Sequence, residues 1–224
     1  MASGALQLMR CLHHEFLPTA DKHSFKSIRP RKSDDPGGRN KIFYPCYRVV
    51  DKVCIQAMEI QYDRFRGSFC VNLGIHYRFL PMHWNDELPV AGKIDAVECI
   101  FTKRLTPQGR GDFWWHVSTS ETETLASVLE FIEVFDRCGI PFFKENGRLP
   151  GSIATITIDD LDNGGYQEKI PDRTKRSPAF IAAIIAYISK HLQRTEDTKA
   201  FAAYALSMCD ARFRDRIDRF LRFL

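Results

Sequence analysis

The sequence lacks the features that mark zinc-stabilised, secreted or membrane-spanning proteins. Its seven cysteines are scattered, and none belongs to a C-x-x-C pair, which excludes a zinc site built from clustered thiolates. The N-terminus has no cationic start or cleavage site, and the longest strongly apolar run, AFIAAIIAYI, is far short of the roughly 20 residues that cross a bilayer. We therefore expect a soluble, cytoplasmic protein with free, mostly buried thiols and no cofactor.

A large excess of one charge is also missing. The 224 residues carry a net charge of +4, and 27% of them are charged. This balance permits an acidic partner, but it lacks the dense basic stripe that is typical of nucleic-acid binding. The hydrophobic fraction of 44% predicts one sizeable core, or one domain with a helical appendage.

The sequence has no glycine-rich phosphate loop. The nearest candidate is GSFCVNLGIHYRF, residues 67–79, in which Gly74 interrupts an apolar run. Apolar residues alternate there with small or polar ones, and no helix signal follows, so the run predicts a strand. Gly74 is then expected to allow the close approach of another backbone, or to mark a bulge.

Other segments predict further strands. KIFYPCYRVV and KVCIQAMEIQY flank Asp51-Lys52, which predicts a tight hairpin. IDAVECIFTKRL and the short DFWWHV are also interpreted as strands, and IATITIDD, from residue 153, as the start of a short strand that ends in a turn.

Prolines and caps set the expected helix boundaries. Residues 3–17 predict an opening helix that Pro18 ends. A second helix, over 120–138, begins at a capping box and is expected to end at Gly139 because Pro141 forbids its continuation. This second helix should lie across the sheet.

Three more helices are predicted near the C-terminus. The first begins at Ser177-Pro178, a serine cap followed by proline in the first turn, and the others cover 196–208 and 210–224. The patterns together predict an α+β fold with a mainly antiparallel β-sheet, helices packed on one face, and a C-terminal helical hairpin or three-helix unit. We divide the chain into an α+β domain, a polar connector and a C-terminal extension packed on that domain, at 1–150, 151–176 and 177–224.

The acidic residues do not form a recognisable catalytic or metal motif. DDLDNGG suggests calcium, but a loop that starts at Asp160 has Gly164 and Pro171 where oxygen ligands are needed. Glu59 and Glu98 could act as general acid and base only if they faced one pocket, and we expect edge-exposed carboxylates instead. We assign no catalytic residue and no metal site.

The stretch GDFWWHV is the most distinctive polar and aromatic cluster. Trp114 and Trp115 are adjacent on a predicted strand, so they must point to opposite faces of the sheet. One should enter the core, and the other should lie on the second face near Asn72, Gly74 and His76. An exposed tryptophan beside polar groups is typical of a binding hot spot, although packing against the late helices is equally compatible with the sequence.

The C-terminal segment DARFRDRIDRFLRFL interleaves five arginines with aromatic residues. Its aspartates precede arginines at the i,i+4 spacing of helical ion pairs, as in Asp210 and Arg214 or Asp215 and Arg219. Because these aspartates cancel much of the positive field, we favour a salt-bridged amphipathic helix over a nucleic-acid or partner-helix site.

The order of the strand motifs carries a family resemblance. VCIQAMEIQ, GSFCVNLGIH, TKRL and DFWWHV, followed by a helix, resemble bacterial proteins with domain of unknown function 4304, over about residues 5–140. The positions that carry the resemblance are Gln61, Phe69, Val71, Asn72, Leu73, Gly74, Ile75, Arg104, Leu105, Trp114 and Trp115. The resemblance implies an α+β domain of bacterial or phage-related origin and brings no catalytic residues. By analogy with other small cytosolic families, it suggests an immunity protein or another interaction partner in a bacterial conflict system.

The leading hypothesis is a non-catalytic protein-interaction module, with an immunity or regulatory role in bacterial conflict. The candidate binding residues are Gln61, Asn72, His76, Arg104, Trp114 and Trp115, and one of the two tryptophans is expected on the second sheet face. The alternative is an enzyme or small-ligand-binding protein that uses the same polar face as a pocket. A weaker alternative is nucleic-acid binding through Arg29, Arg31, Lys32 and the C-terminal arginines.

Overall fold

A computed structural model of the chain describes residues 4–28, 40–82, 87–108, 111–149, 151–170, 176–222 and 224. The basic stretch with Arg29, Arg31 and Lys32 lies outside the described residues, as do residues 171–175 of the expected polar connector.

One antiparallel sheet holds the strands of the described residues. Their bounds are β1 Lys26–Ser27, β2 Asn40–Val50, β3 Cys54–Asp63, β4 Ser68–Tyr77, β5 Phe101–Arg104 and β6 Trp115–His116. The spatial order is β1-β2-β3-β4-β5, and β6 also pairs with β4. Every pairing is antiparallel. The α+β fold class and the mainly antiparallel sheet are therefore confirmed.

The hairpin between β2 and β3 forms at Asp51-Lys52 as the sequence predicts. Both residues adopt left-handed backbone conformations, with φ of 50° and 58°, and the Val53 amide donates to the Val50 carbonyl. Positive φ at both central positions matches the twist of the flanking strands. The turn therefore forms without the glycine that usually supplies this conformation.

Three predicted strands are wrong in whole or in part, and of DFWWHV only Trp115–His116 is a strand. Only Phe101–Arg104 of IDAVECIFTKRL is a strand, and Ala96–Glu98 is a 3₁₀ turn. The segment IATITIDD is helical, with a 3₁₀ turn at Ser152–Thr155 followed by helix α5 at Ile158–Asn163. The segment is helical because the Thr157 hydroxyl accepts the amide hydrogen of Asp160, the third residue of α5. This N-cap favours a helix although apolar and polar residues alternate in the sequence.

Helices make up most of the remaining described chain. Their bounds are α1 Gly4–Cys11, α2 Leu17–Lys22, α3 Glu121–Val134, α4 Ile140–Asn146, α5 Ile158–Asn163, α6 Tyr166–Lys169, α7 Pro178–His191, α8 Thr195–Ser207 and α9 Arg214–Leu221. None of the described helices is long and apolar enough to cross a membrane.

Two prolines that were expected to end helices lie inside longer helical segments. Pro18 is in the first turn of α2 and Pro141 is in the first turn of α4. A π-helical turn precedes each of them, Leu12–Phe16 before α2 and Phe135–Gly139 before α4. The wider turn changes which carbonyl faces the proline ring, so the missing amide hydrogen does not break the helix. Both predicted endpoints are therefore wrong.

Helices α1 and α3 cover the apolar face of the sheet. Phe131 of α3 lies 5.9 Å from Phe69 of β4 and 5.7 Å from Trp115 of β6, measured between ring centroids. Phe16, in the turn after α1, lies 5.1 Å from the same Phe131 ring. This aromatic cluster fixes α3 across the sheet, where the sequence placed it.

The C-terminal three-helix unit is confirmed, with α7 at its centre. All residues of α7 from Ala179 to Ser189 are buried, and α7 contacts both α8 and α9. The ring of His191 stacks on Phe79 at 4.3 Å, which ties the unit to the segment after β4.

The ion pairing before α9 differs from the prediction. Asp210 pairs with Arg212 at 2.9 Å instead of with Arg214. Because α9 begins only at Arg214, Asp210 lies outside the helix and the i,i+4 geometry does not apply to it.

A tight contact holds the Ala96–Glu98 turn against the second face of the sheet. A Cβ atom at Gly74 would lie 2.4 Å from the Ala96 carbonyl oxygen and 2.6 Å from Cys99 Sγ. The φ angle of Gly74 is not positive, so glycine is needed here for space and not for backbone freedom. The close backbone approach predicted for Gly74 is confirmed.

Replacing Gly74 with alanine should lower the free energy of unfolding by about 3 kcal/mol or more, because the turn or β4 has to move. Chemical denaturation measures this loss. The matched control is Gly164→Ala, where a Cβ would meet open space and only the left-handed backbone, φ 82°, costs about 1–2 kcal/mol. Equal losses in the two variants would contradict the steric explanation.

Candidate functional site

The candidate site lies on the sheet face opposite α1 and α3. Alternation along β3 and β4 places the following cross-strand pairs on this face: Ile55 with His76, Ala57 with Gly74, Glu59 with Asn72, Gln61 with Cys70, and Asp63 with Ser68. The apolar end of this face is covered by a small second core in which Ile94, Ala96 and Cys99 pack on Ile55 and Ala57. The other end carries the polar pairs.

His76 lies under the covered end and has no exposed surface. Its Nδ1 accepts the Ile100 amide at 3.1 Å, so the proton is on Nε2, which donates to the Leu80 carbonyl at 3.2 Å. Burial lowers the pKa of His76 to about 4, so the ring is neutral near pH 7. His76 therefore binds main-chain groups of Leu80 and Ile100, which lie on either side of Ile94, Ala96 and Cys99 in the chain. It cannot contact a partner at the surface, because it is fully buried.

Glu59 forms the boundary between the covered end and the polar end. Its Oε1 accepts from Asn72 Nδ2 at 2.9 Å and its Oε2 accepts from the Ala96 amide at 3.2 Å. Burial raises the pKa of Glu59 to about 7, against the opposing effect of the Asn72 hydrogen bond, and the charge of Asp95 raises it further. The side chain therefore connects the strand pair to the 3₁₀ turn and titrates near neutral pH.

Glu98, the other carboxylate considered for acid–base chemistry, lies on the turn and not on a strand. Its Oε2 accepts the Asp95 amide at 3.1 Å and completes a capping box. Glu98 lines a separate cavity, and Glu59 is not among the residues that line it. The two carboxylates thus do not face one pocket, and the predicted edge exposure is wrong for Glu59, which is 2% exposed.

The polar end extends to Trp114, which lies just before β6 and is partly exposed. Its indole Nε1 donates to Asp112 Oδ2 at 2.8 Å. The guanidinium carbons of Arg66 and Arg104 lie 5.1 Å and 5.2 Å from the centroid of the indole ring. We refer to these four residues, Arg66, Arg104, Asp112 and Trp114, as the Trp114 patch.

The two arginines of the Trp114 patch are held by carboxylates. Arg104 Nε lies 3.5 Å from Asp112 Oδ1, and Arg66 Nε lies 3.7 Å from Asp63 Oδ2. Asp63 also accepts the amide of Arg66 at 3.2 Å, which shapes the turn between β3 and β4. The result is a pre-arranged surface on which cationic groups and an aromatic face are presented together.

Trp115 points to the other face of the sheet, as the alternation predicts. It is 2% exposed and stacks on Phe69 with a centroid distance of 5.4 Å. The structure therefore separates the six candidate binding residues into two groups. Gln61, Asn72, Arg104 and Trp114 lie together at the polar end, whereas His76 and Trp115 are buried away from it.

The polar end is connected through side-chain hydrogen bonds. Asn72 Nδ2 donates to Glu59 at 2.9 Å and also lies 3.4 Å from Gln61 Oε1. Asn72 is directly opposite Arg104 in the pairing of β4 with β5. This row links the buried carboxylate to the exposed Trp114 patch.

The metal-ligand side chains do not form a cluster of three or more that could hold a metal ion anywhere in the part of the chain that the structure describes. All seven cysteines are free, and five of them are buried, as expected. Burial raises the pKa of Cys70, beside the polar end, to about 12, so this thiol stays protonated near neutral pH.

Sequence reasoning did not find Arg66, Asp112 or a cavity of about 620 Å³ beyond the second core. The only signals for the first two were a hairpin loop and an aspartate two residues before Trp114. The cavity is lined by residues between 97 and 102 and by residues between 176 and 217. No local sequence pattern predicts that segments so far apart in the chain lie side by side.

Comparison with known families places the polar end within a recognised domain. Residues 41–145 match the family described as a domain of unknown function, DUF4304. This stretch is similar to the members of that family. The match confirms the resemblance carried by the strand motifs, and it runs from β2 into α4. No curated protein and no solved structure matched the chain. The matched stretch contains all six candidate binding residues, and the family description assigns no role to them.

Replacing Glu59 with glutamine should stabilise the protein above pH 7. The glutamate ionises near pH 4.5 when unperturbed and near pH 7 in the folded protein. Between these values the folded state binds more protons than the unfolded state, so the contribution of Glu59 to stability falls as the pH rises. Glu59→Gln removes this loss, which amounts to about 3 kcal/mol at pH 8 and vanishes below pH 4.

Urea unfolding of both proteins across pH 4 to 8 measures the difference. Glu130→Gln, at an exposed position on α3, serves as the matched control and should change stability little at any pH. A difference between Glu59→Gln and the wild type that does not change with pH would contradict the raised pKa.

Proposed function

We propose that this protein is a non-catalytic interaction module that binds a protein partner through the Trp114 patch. The observation that carries the proposal is the stacking of two arginines on one partly exposed indole. Tryptophan and arginine are the residues most enriched among binding hot spots. A surface that holds both in fixed positions loses little side-chain entropy on binding.

The neighbouring charges favour a partner of mixed polarity. Asp112 is 59% exposed and Arg66 is 56% exposed at their side chains, so both signs of charge are available at the edge of the patch. Arg104 is more buried, at 27%, and lies next to the indole. The arrangement supports an apolar and aromatic centre with a charged rim, which is the usual anatomy of a protein interface.

The state of Glu59 supports binding over catalysis on this face. A general acid or base must be within hydrogen-bond reach of the substrate. Both oxygens of Glu59 accept hydrogen bonds from the protein itself, and the residue is 2% exposed. Its raised pKa is therefore explained by burial beside the Ala96–Glu98 turn.

We further propose a cytoplasmic role in bacteria, in which the partner is a toxin that the protein neutralises or a protein that it regulates. The support is the resemblance of the strand motifs to a bacterial family and the analogy with small immunity proteins. The identity of the captured partner decides between neutralising a toxin and regulating another protein.

Replacing Trp114 with alanine should weaken partner binding by about 30-fold or more, equivalent to about 2 kcal/mol, because the variant removes the centre on which both arginines stack. The tagged wild-type protein is first used to capture a stoichiometric partner from its bacterial host, and the partner is identified by mass spectrometry. Purified wild-type and variant proteins are then titrated with that partner by biolayer interferometry.

The matched control is Leu129→Ala, which removes an exposed apolar side chain from α3 on the opposite side of the sheet. It should leave the affinity within about twofold of the wild type. Arg104→Lys adds a second readout, since lysine keeps the charge but loses planar stacking, and it should weaken binding. Unchanged affinity of a folded Trp114→Ala variant would reject the patch as the interface.

A further inference from the structure

The cavity lined by Glu98 lies away from the Trp114 patch, between the Ala96–Glu98 turn and the C-terminal helices. Its volume is about 620 Å³, within the range of roughly 300–1,000 Å³ that small-molecule sites occupy. One wall comes from residues 97–99 and Thr102, and the other comes from the start of α7, the segment between α8 and α9, and α9 itself. The site therefore forms at the junction of the stretch that matches DUF4304 and the C-terminal unit.

The interior of this cavity is largely apolar. Val97, Met208 and Phe213 line it and are 56%, 54% and 51% exposed. They are three of the nine large hydrophobic residues that are exposed in the described part of the chain. Phe180 and Ile217, which are buried, complete the apolar lining. Such a concentration of exposed apolar surface in one concave site is typical of a binding site.

The polar groups of the cavity favour an anion. Arg176 and Arg216 line it, and the Arg176 guanidinium lies 5.2 Å from the Phe180 ring. Both arginines also interact with groups of the protein itself, and a guanidinium has five N–H donors to share. The positive end of α7, a helix of 14 residues, lies beside them and adds to the positive potential.

The two carboxylates that line the cavity are already engaged. Asp210 pairs with Arg212, which does not line the cavity, through contacts of 2.9 Å and 3.2 Å. Glu98 accepts the Asp95 amide at 3.1 Å. The charge of Asp210 is thus offset by a cation outside the cavity, and one oxygen of Glu98 is occupied by a main-chain amide, so both carboxylates already have partners of their own.

We propose that this cavity binds a small organic anion with an aromatic or branched apolar body and one carboxylate. The apolar body packs between Val97, Phe213 and Ile217, and the carboxylate is bound by Arg176 and Arg216. The proposal is independent of the Trp114 patch, because none of the four patch residues lines the cavity.

Naphthalene-2-carboxylate and its neutral analogue 2-naphthalenemethanol are the probes that test the proposal, by isothermal titration calorimetry with the full chain. The carboxylate should bind with a stoichiometry of one and at least about tenfold more tightly than the alcohol. Arg216→Gln should weaken binding of the carboxylate by about tenfold and leave binding of the alcohol unchanged. Arg219→Gln, on the same helix but outside the cavity, is its matched control.

A second pair of variants tests the location. Val97→Trp fills the cavity and should weaken carboxylate binding by about tenfold or more. Val90→Trp makes the same change at a valine that is 54% exposed and does not line the cavity, and it should leave the affinity within about twofold. The proposal is overturned if the carboxylate shows no saturable binding up to about 1 mM, if the alcohol binds equally well, or if both tryptophan variants behave alike.

Discussion

The contact between Gly74 and the Ala96–Glu98 turn is the constraint on which the rest of this structure depends. A carbonyl oxygen of the turn lies where any other residue at position 74 would place its Cβ atom. This contact brings the Ala96 amide to Glu59 and allows Ile94 and Cys99 to pack on the sheet. The turn then has two sides with different chemistry, since its inner side closes a small core and its outer side forms a wall of the cavity against the C-terminal helices.

The second sheet face is divided by this turn into a structural end and an accessible end. His76 belongs to the structural end, where its two ring nitrogens bind main-chain groups of the covering segment. Asn72 and Gln61 lie beyond Glu59, toward the Trp114 patch. Polar residues on one strand thus have different roles because only part of the strand is covered. The charge of Glu59 is held where burial opposes it, a cost that the two hydrogen bonds to its oxygens reduce only in part.

Much of the fold could be predicted because it depends on local signals. Alternation identified β4, the Asp51-Lys52 turn identified the first hairpin, and the capping box identified the start of α3. The errors at the helix ends arise where the chain departs from the regular α-helix. Pro18 and Pro141 follow π-helical turns, and Phe16 and Phe135, one in each turn, contact each other in the core with 6.2 Å between ring centroids. The candidate site was predicted in part, since alternation placed Gln61, Asn72 and Trp114 on one face but could not show that His76 is covered.

The sequence by itself determined the class of the fold, the alternation of the strands, and the opposite orientations of Trp114 and Trp115. These features follow from backbone geometry and side-chain size, which act between near neighbours in the chain. Only the tertiary structure decided which tryptophan is accessible, why Glu59 titrates near neutral pH, and that residues 97–102 and 176–217 enclose a cavity. These features depend on the burial and distances of groups far apart in sequence, and no local pattern encodes them.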